Sequence, residues 1–162
     1  MSKIQLFRID DRLIHGQVVL GWVSVLNSDC IIVCDNSVFE NDWQKELYLS
    51  CAPDYLKTMV LDVKGTAEYL KNNKEDFSKT IVLVNSPQVV EELLNSGVEL
   101  QNINVGGVHF REGRKSILPY LYLNDGELDS FKRCIEKGVN FECLDVPTGN
   151  KVNLKSVINN GK

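Results

Sequence analysis

Thr80-Ile81-Val82-Leu83-Val84-Asn85-Ser86-Pro87-Gln88-Val89-Val90-Glu91-Glu92-Leu93-Leu94-Asn95-Ser96-Gly97 holds a whole structural unit. Its apolar run Ile81-Val82-Leu83-Val84 suits a strand covered on both faces, which is the environment of a parallel strand. Ser86 stands where an N-cap belongs. Pro87, with its fixed φ and no N–H to lose, favours a first helical turn. Val89, Val90, Leu93 and Leu94 then recur at helical spacing, and Gly97 marks the stop. A strand that passes through a short polar turn into an amphipathic helix is a β-α unit. Such units in series build a parallel sheet with right-handed crossovers.

The same alternation extends in both directions. Further strands are expected at 4–8, 30–34, 58–61, 102–105, 120–123 and 141–144, with Ile31-Ile32-Val33 a second unbroken apolar run. Helical patterns fill 18–26 around Trp22, 42–51 with Trp43, Leu47 and Cys51 on one stripe, and a short piece at 66–70. Another opens at Asp125 or Gly126, turns Leu128, Phe131, Cys134 and Ile135 inward, and ends with Gly138 as cap. A last short helix begins near Asn153. The expected fold is α/β, a single three-layer domain over 1–162 whose mostly parallel central sheet of about seven strands is flanked by helices.

Composition narrows the function classes. The net charge of -4 argues against nucleic acid, which calls for a basic patch, and the densest basic stretch, 111–115, is short and includes Glu112. No segment approaches the roughly 18 apolar residues of a membrane span. The opening residues read as a strand and not a signal peptide. The five cysteines are odd in number, lack a CxxC pair and lie mostly in apolar surroundings, so they read as reduced core residues of a cytoplasmic protein.

Only two histidines occur, and both fall in expected loops. His15 follows the first strand in Arg8-Ile9-Asp10-Asp11-Arg12-Leu13-Ile14-His15-Gly16-Gln17-Val18, just before a helix. Ligands of such sheets bind beyond the carboxyl ends of the strands. Gly16 allows a close backbone approach, and the first amides of the helix offer an anion site. Arg12 can clamp a phosphoryl or carboxylate group, and Asp10 or Asp11 can orient the imidazole. A neutral imidazole so placed attacks phosphorus directly. The residues alone also admit Asp10 as a turn cap, Arg12 in a surface ion pair and His15 as a helix cap. No HExxH-like spacing exists, so no metal and no cofactor are expected.

This run, with Trp22 beyond it, resembles the active-site segment of IIB components of the mannose, fructose and sorbose class of sugar phosphotransferase systems. Further stretches match in order. They are Ile32-Val33-Cys34-Asp35-Asn36 with Asp42, then Gly97-Val98 with Asn102-Ile103-Asn104-Val105-Gly106-Gly107-Val108-His109, and Gly138-Val139 through Val146-Pro147-Thr148. The resemblance implies a phosphocarrier associated peripherally with its membrane partners. His15 takes a phosphoryl group on Nδ1 from a phosphohistidine IIA protein or domain. It then passes the group to a sugar entering through IIC and IID, supported by Arg12 and Asp10. Asn36, Asn85 and Val108 depart from the usual acidic residue, lysine and methionine.

Asp11, Gly16, Gln17, Asp35, Gly106, Gly107 and His109 stand as supporting site residues. Asp35 either caps its loop or orients Arg12, the glycine pair lets the chain pass close to the His15 loop, and His109 is either functional or a loop residue bonded to its backbone. Arg8, Arg12 and the 111–115 turn are expected to gather on the active edge and steer a phosphorylated partner. A homodimer is left open. The alternative function is an anion-sensing regulatory domain of the same fold without turnover.

Overall fold

The computed structural model describes residues 3–72 and 76–160, apart from the side chains of 17–20 and 160. Its strands are β1 (Leu6–Ile9), β2 (Cys30–Cys34), β3 (Lys57–Leu61), β4 (Thr80–Val84), β5 (Asn102–Val105), β6 (Lys115–Leu118), β7 (Leu121–Leu123), β8 (Asn140–Cys143) and β9 (Val152–Asn153). Its helices are α1 (Gly16–Leu26), α2 (Asn36–Glu40), α3 (Asp42–Cys51), α4 (Val63–Asn72), α5 (Pro87–Asn95), α6 (Asp125–Glu136) and α7 (Leu154–Asn160). A 7-stranded sheet runs β3-β2-β4-β1-β5-β8-β9. Every pairing in it is parallel except that of β9 with β8.

The unbroken apolar runs divide between two cores because side chains alternate along a strand. Ile31, Val33, Ile81 and Leu83 meet Trp22, Val23 and Val38 under α1 to α3. Ile32, Cys34, Val82 and Val84 meet Leu70, Val90, Leu93 and Phe131 under α4 to α6. Each such aliphatic side chain contributes about 1.5–3 kcal/mol by leaving water. Local capping sets the ends of these helices. Asn124 accepts from the Glu127 N–H at 2.8 Å while Glu127 accepts from the Asn124 N–H at 3.0 Å, a reciprocal box that starts α6. Gly97 and Gly138, at φ +88° and +96°, end α5 and α6 in the left-handed region.

This order positions the site. From β1 the chain passes to β2 on one side, and from neighbouring β4 it passes to β5 on the other. The following helices, α1 and α5, therefore cover opposite faces, and a crevice opens beyond the carboxyl ends of these strands.

Some expectations are corrected. Residues 121–123 do not enter the main sheet. They pair with β6 in a separate 2-stranded sheet, and the short antiparallel β9 completes the main one. Strand-like composition does not name a partner, and β9 is too short to show a period. The helix α2 was not foreseen. It starts because the Asp35 carboxylate accepts from the Val38 N–H at 2.9 Å. The α3 bounds match, but its stripe faces solvent: no residue of α3 is buried, and Trp43 is 72 % exposed. Phe39 and Tyr48, in contrast, pack against the α1 to α3 core. Cys51 is exposed and not a core residue. The other four cysteines are buried, and burial pushes the thiols of Cys34 and Cys143 up to about 12.

Candidate active site

β1 delivers Asp10 beyond its end, where the Asp10 N–H still donates to the Val84 carbonyl at 2.9 Å. The chain then reverses, with the Leu13 N–H donating to the Asp10 carbonyl at 3.0 Å. Leu13 holds φ +56°, a conformation that costs an L-residue about 1–2 kcal/mol. Burial of Leu13 and Ile14 in the α1 to α3 core offsets that cost. The turn thereby anchors two apolar side chains and leaves Arg12, 43 % exposed, and His15, 18 % exposed, at the surface.

Asp10 is the hub, with its side chain 1 % exposed. Its Oδ1 accepts from the Arg12 N–H at 3.1 Å and lies 3.6 Å from Arg12 Nε. Its Oδ2 lies 3.3 Å from both His15 Nε2 and Arg8 Nη2. A carboxylate only accepts, so the ring hydrogen belongs on Nε2, and Nδ1 keeps a free lone pair. Burial pushes the His15 pKa below the usual imidazole value, and Arg12 and Arg8 add to this against the opposing pull of Asp10. The ring is therefore neutral at pH 7, which is the nucleophilic form. His15 is also the N-cap of α1 and makes no side-chain cap bond, so the first amides of the helix remain available to an anion.

Arg8 was expected on the steering edge, but it lies beneath the site, 1 % exposed. Its Nη1 donates to Asn104 Oδ1 and, at 2.8 Å, to the Leu144 carbonyl; Nη2 donates to the Asp145 carbonyl at 2.8 Å. The guanidinium also sits 5.2 Å from the Trp22 ring centroid. Trp22 is buried, so it is a wall of this pocket and not an exposed platform. A charged residue inside Leu6-Phe7-Arg8-Ile9 was the signal that marked Arg8. Gly106 lies so close that a Cβ there would overlap the guanidinium.

Asp11 turns the other way. Its Oδ1 accepts from His109 Nδ1 at 2.6 Å, its Oδ2 accepts from the His109 N–H at 2.8 Å, and its own N–H donates to the Gly107 carbonyl at 2.9 Å. Arg114 donates from Nη1 to the His109 carbonyl at 2.8 Å and grips Glu127 with Nε and Nη2 at 2.9 and 2.8 Å. The glycine pair thus brings the β5 loop against the His15 loop. A Cβ at Gly107 would come 3.2 Å from His109 Cε1 and 3.4 Å from Arg12 Nη2. Asp11 also borders a polar cleft of about 260 Å³ shared with Asn85, Ser86, Gln88 and Arg111. The cavity between Lys3, Phe7 and Gln101 lies at the opposite end of the strands.

The remaining expected residues are local supports. Asp35 caps α2 and accepts from Asn85 Nδ2 at 2.9 Å, so of its two anticipated roles it takes the capping one. Asn36 accepts from the Val63 N–H at 2.8 Å, and Val108 is buried and bonded to the β7 region through its backbone. Gly16 is the first residue of α1, with open space around it. The side chain of Gln17 lies outside the described residues. Among the described residues, no group of His, Cys, Asp and Glu is arranged to hold a metal ion.

Comparison with known proteins places the whole chain among sugar phosphotransferase IIB components. The sorbose-specific EIIB component of Lacticaseibacillus casei is 32 % identical over 145 residues, covering 90 % of this chain and 88 % of that one. The mannose-specific EIIAB component of Escherichia coli K12 is 32 % identical over 155 residues, covering 96 % of this chain and 48 % of that one. The crystal structure of the IIB domain of the sorbose permease from Klebsiella pneumoniae superposes with a TM-score of 0.90 at 30 % identity, covering 100 % of this chain and 99 % of that one. Residues 4–162 match the family described as PTS system sorbose subfamily IIB component, and the chain belongs to that family of the sugar phosphotransferase systems.

Proposed function

We propose that this IIB component is a phosphocarrier. His15 accepts a phosphoryl group on Nδ1 from a phosphohistidine of a IIA protein or domain and passes it to a sugar imported by IIC and IID membrane components. The observation that carries this reading is the contact of His15 Nε2 with the buried Asp10 carboxylate at 3.3 Å, which leaves Nδ1 as the free nucleophile. The Nδ1 lone pair attacks phosphorus, the donor N–P bond breaks, and its electron pair returns to the donor ring. Charge that develops on the His15 ring is met through Nε2–H by Asp10, which Arg8 holds in place. Arg12 and the first amides of α1 face the phosphoryl oxygens. Donor and acceptor are both imidazoles, so the step is close to balanced and alignment is the main demand on the protein.

The name EIIAB of the Escherichia coli relative supports a IIA partner. Among the described residues, no helix is long and apolar enough to cross a membrane, which fits a peripheral position beside the transporter. Intact mass spectrometry tests the assignment: wild type exposed to phosphorylated IIA gains one phosphoryl group, and His15→Gln gains none. Full phosphorylation of the variant refutes it.

A further inference from the structure

We infer that His109, paired with Asp11, is the general base that takes the hydroxyl proton when the phosphoryl group leaves His15 for the sugar. This rests on the phosphocarrier reading above. The two half-reactions differ in their proton balance. Transfer from imidazole to imidazole moves no proton off the nucleophile, because Nδ1 attacks with a lone pair. Transfer to an alcohol must dispose of the hydroxyl proton. As the sugar O–P bond forms, the His15 Nδ1–P bond breaks and its electron pair returns to Nδ1. The hydroxyl proton passes to His109 Nε2.

The geometry fits that task. Asp11 accepts from His109 Nδ1 at 2.6 Å, so the free lone pair lies on Nε2. The backbone N–H of His109 donates to the same carboxylate at 2.8 Å, and Arg114 ties the His109 carbonyl at 2.8 Å, so the ring is mounted from three directions. Glu127 in turn holds Arg114 in a fork. The His109 side chain is 51 % exposed. It belongs to the same rim as the phosphoryl site, since the Cβ position of Gly107 lies 3.8 Å from His109 Nε2 and 3.4 Å from Arg12 Nη2. A carboxylate-held imidazole with an open Nε2 beside an anion-binding arginine is the arrangement that proton abstraction next to phosphorus requires. A merely structural pin between two loops would not need the exposed ring edge.

The test separates the half-reactions. Wild type and His109→Asn are phosphorylated by IIA and then mixed with vesicles containing the IIC and IID partners and mannose, fructose, sorbose or N-acetylgalactosamine in turn. Asparagine keeps a donor to Asp11 but has no titratable nitrogen. The variant is expected to accept phosphate at the wild-type rate and to deliver it to the sugar about 10²-fold more slowly. Delivery at the wild-type rate, or an equal loss in both half-reactions, overturns the inference. So does a nitrogen NMR spectrum that places the neutral His109 proton on Nε2. Failure of wild type to label His15, or to deliver to any of these sugars, overturns the parent reading and this inference with it.

Discussion

Asp10 and Asp11 are neighbours in sequence, yet each holds a histidine by the opposite ring nitrogen. Asp10 meets His15 at Nε2, at 3.3 Å, over the buried Arg8. Asp11 meets His109 at Nδ1, at 2.6 Å, on a rim braced by Arg114 and Glu127. His15 is 18 % exposed and His109 51 %. The same dyad chemistry therefore frees Nδ1 on a mostly buried ring on one side and Nε2 on a half-exposed ring on the other. Which nitrogen is free is decided by where the backbone places the carboxylate, and depth decides how strongly burial acts on the ring.

That contrast can be broken at several points. The largest effect is expected at the hub. Asp10→Asn leaves the Arg8 charge buried without its counter-charge and should cost about 3–5 kcal/mol. Asp11→Asn should cost only about 1–2 kcal/mol, because Arg114 keeps Glu127 and the His109 ring can turn to water. Urea midpoints of the two variants check this, and equal losses would remove the distinction between buried and rim dyads.

The glycine pair sharpens the same point. Gly106→Ala drives a methyl group into the trapped Arg8 guanidinium and should cost about 3 kcal/mol. Gly107→Ala meets only the ends of Arg12 and His109, which can give way, and should cost less than about 1 kcal/mol. Thermal unfolding of both variants tests the pair, with a larger loss at Gly107 as the contrary result.

Arg12 separates chemistry from stability. Arg12→Ala should slow phosphoryl acceptance about 10²-fold with an unmoved urea midpoint, and lysine should restore it only in part because the planar fork is gone. Rapid-quench rates equal to wild type would exclude contact with the phosphoryl oxygens.

The smallest effect concerns pH. The folded-state pKa of His15 lies below its unfolded value, so the unfolded chain binds the proton first. Its stability contribution is full above the unfolded value of about 6.5 and is lost as pH falls from there through the folded value. The urea midpoint of wild type should therefore fall slightly more on acidification than that of His15→Gln. Identical slopes would mean that burial does not shift His15.

Much of this was readable in the order of residues. Cys30–Cys34, Thr80–Val84 and Asn102–Val105 were legible as strands, and Pro87 and Gly97 as the limits of α5, because continuous apolar runs and helix-end chemistry are local properties. The cluster of Asp10, Arg12 and His15 was legible for the same reason: the turn, the N-cap position and the carboxylate lie within a few residues of one another.

Tertiary structure alone decided the rest. Residues 121–123 were legible as a strand but not their partner, since the four-residue β6 and the two-residue β9 are too short to announce the pairings they make. The stripe on α3 was legible, but no pattern says whether a helix face meets protein or water, and this one meets water. Arg8 stood in plain view as a charge in an apolar strand. Its burial became tolerable because Asn104, Leu144 and Asp145, far along the chain, supply acceptors around it beside the nearby Asp10 carboxylate. The Asp11–His109 dyad needed the β5 loop to fold back onto the β1 loop, through the close approach at Gly107. A sequence lists its donors and acceptors one after another, but hydrogen bonds between distant segments form only when the fold brings them within about 3 Å.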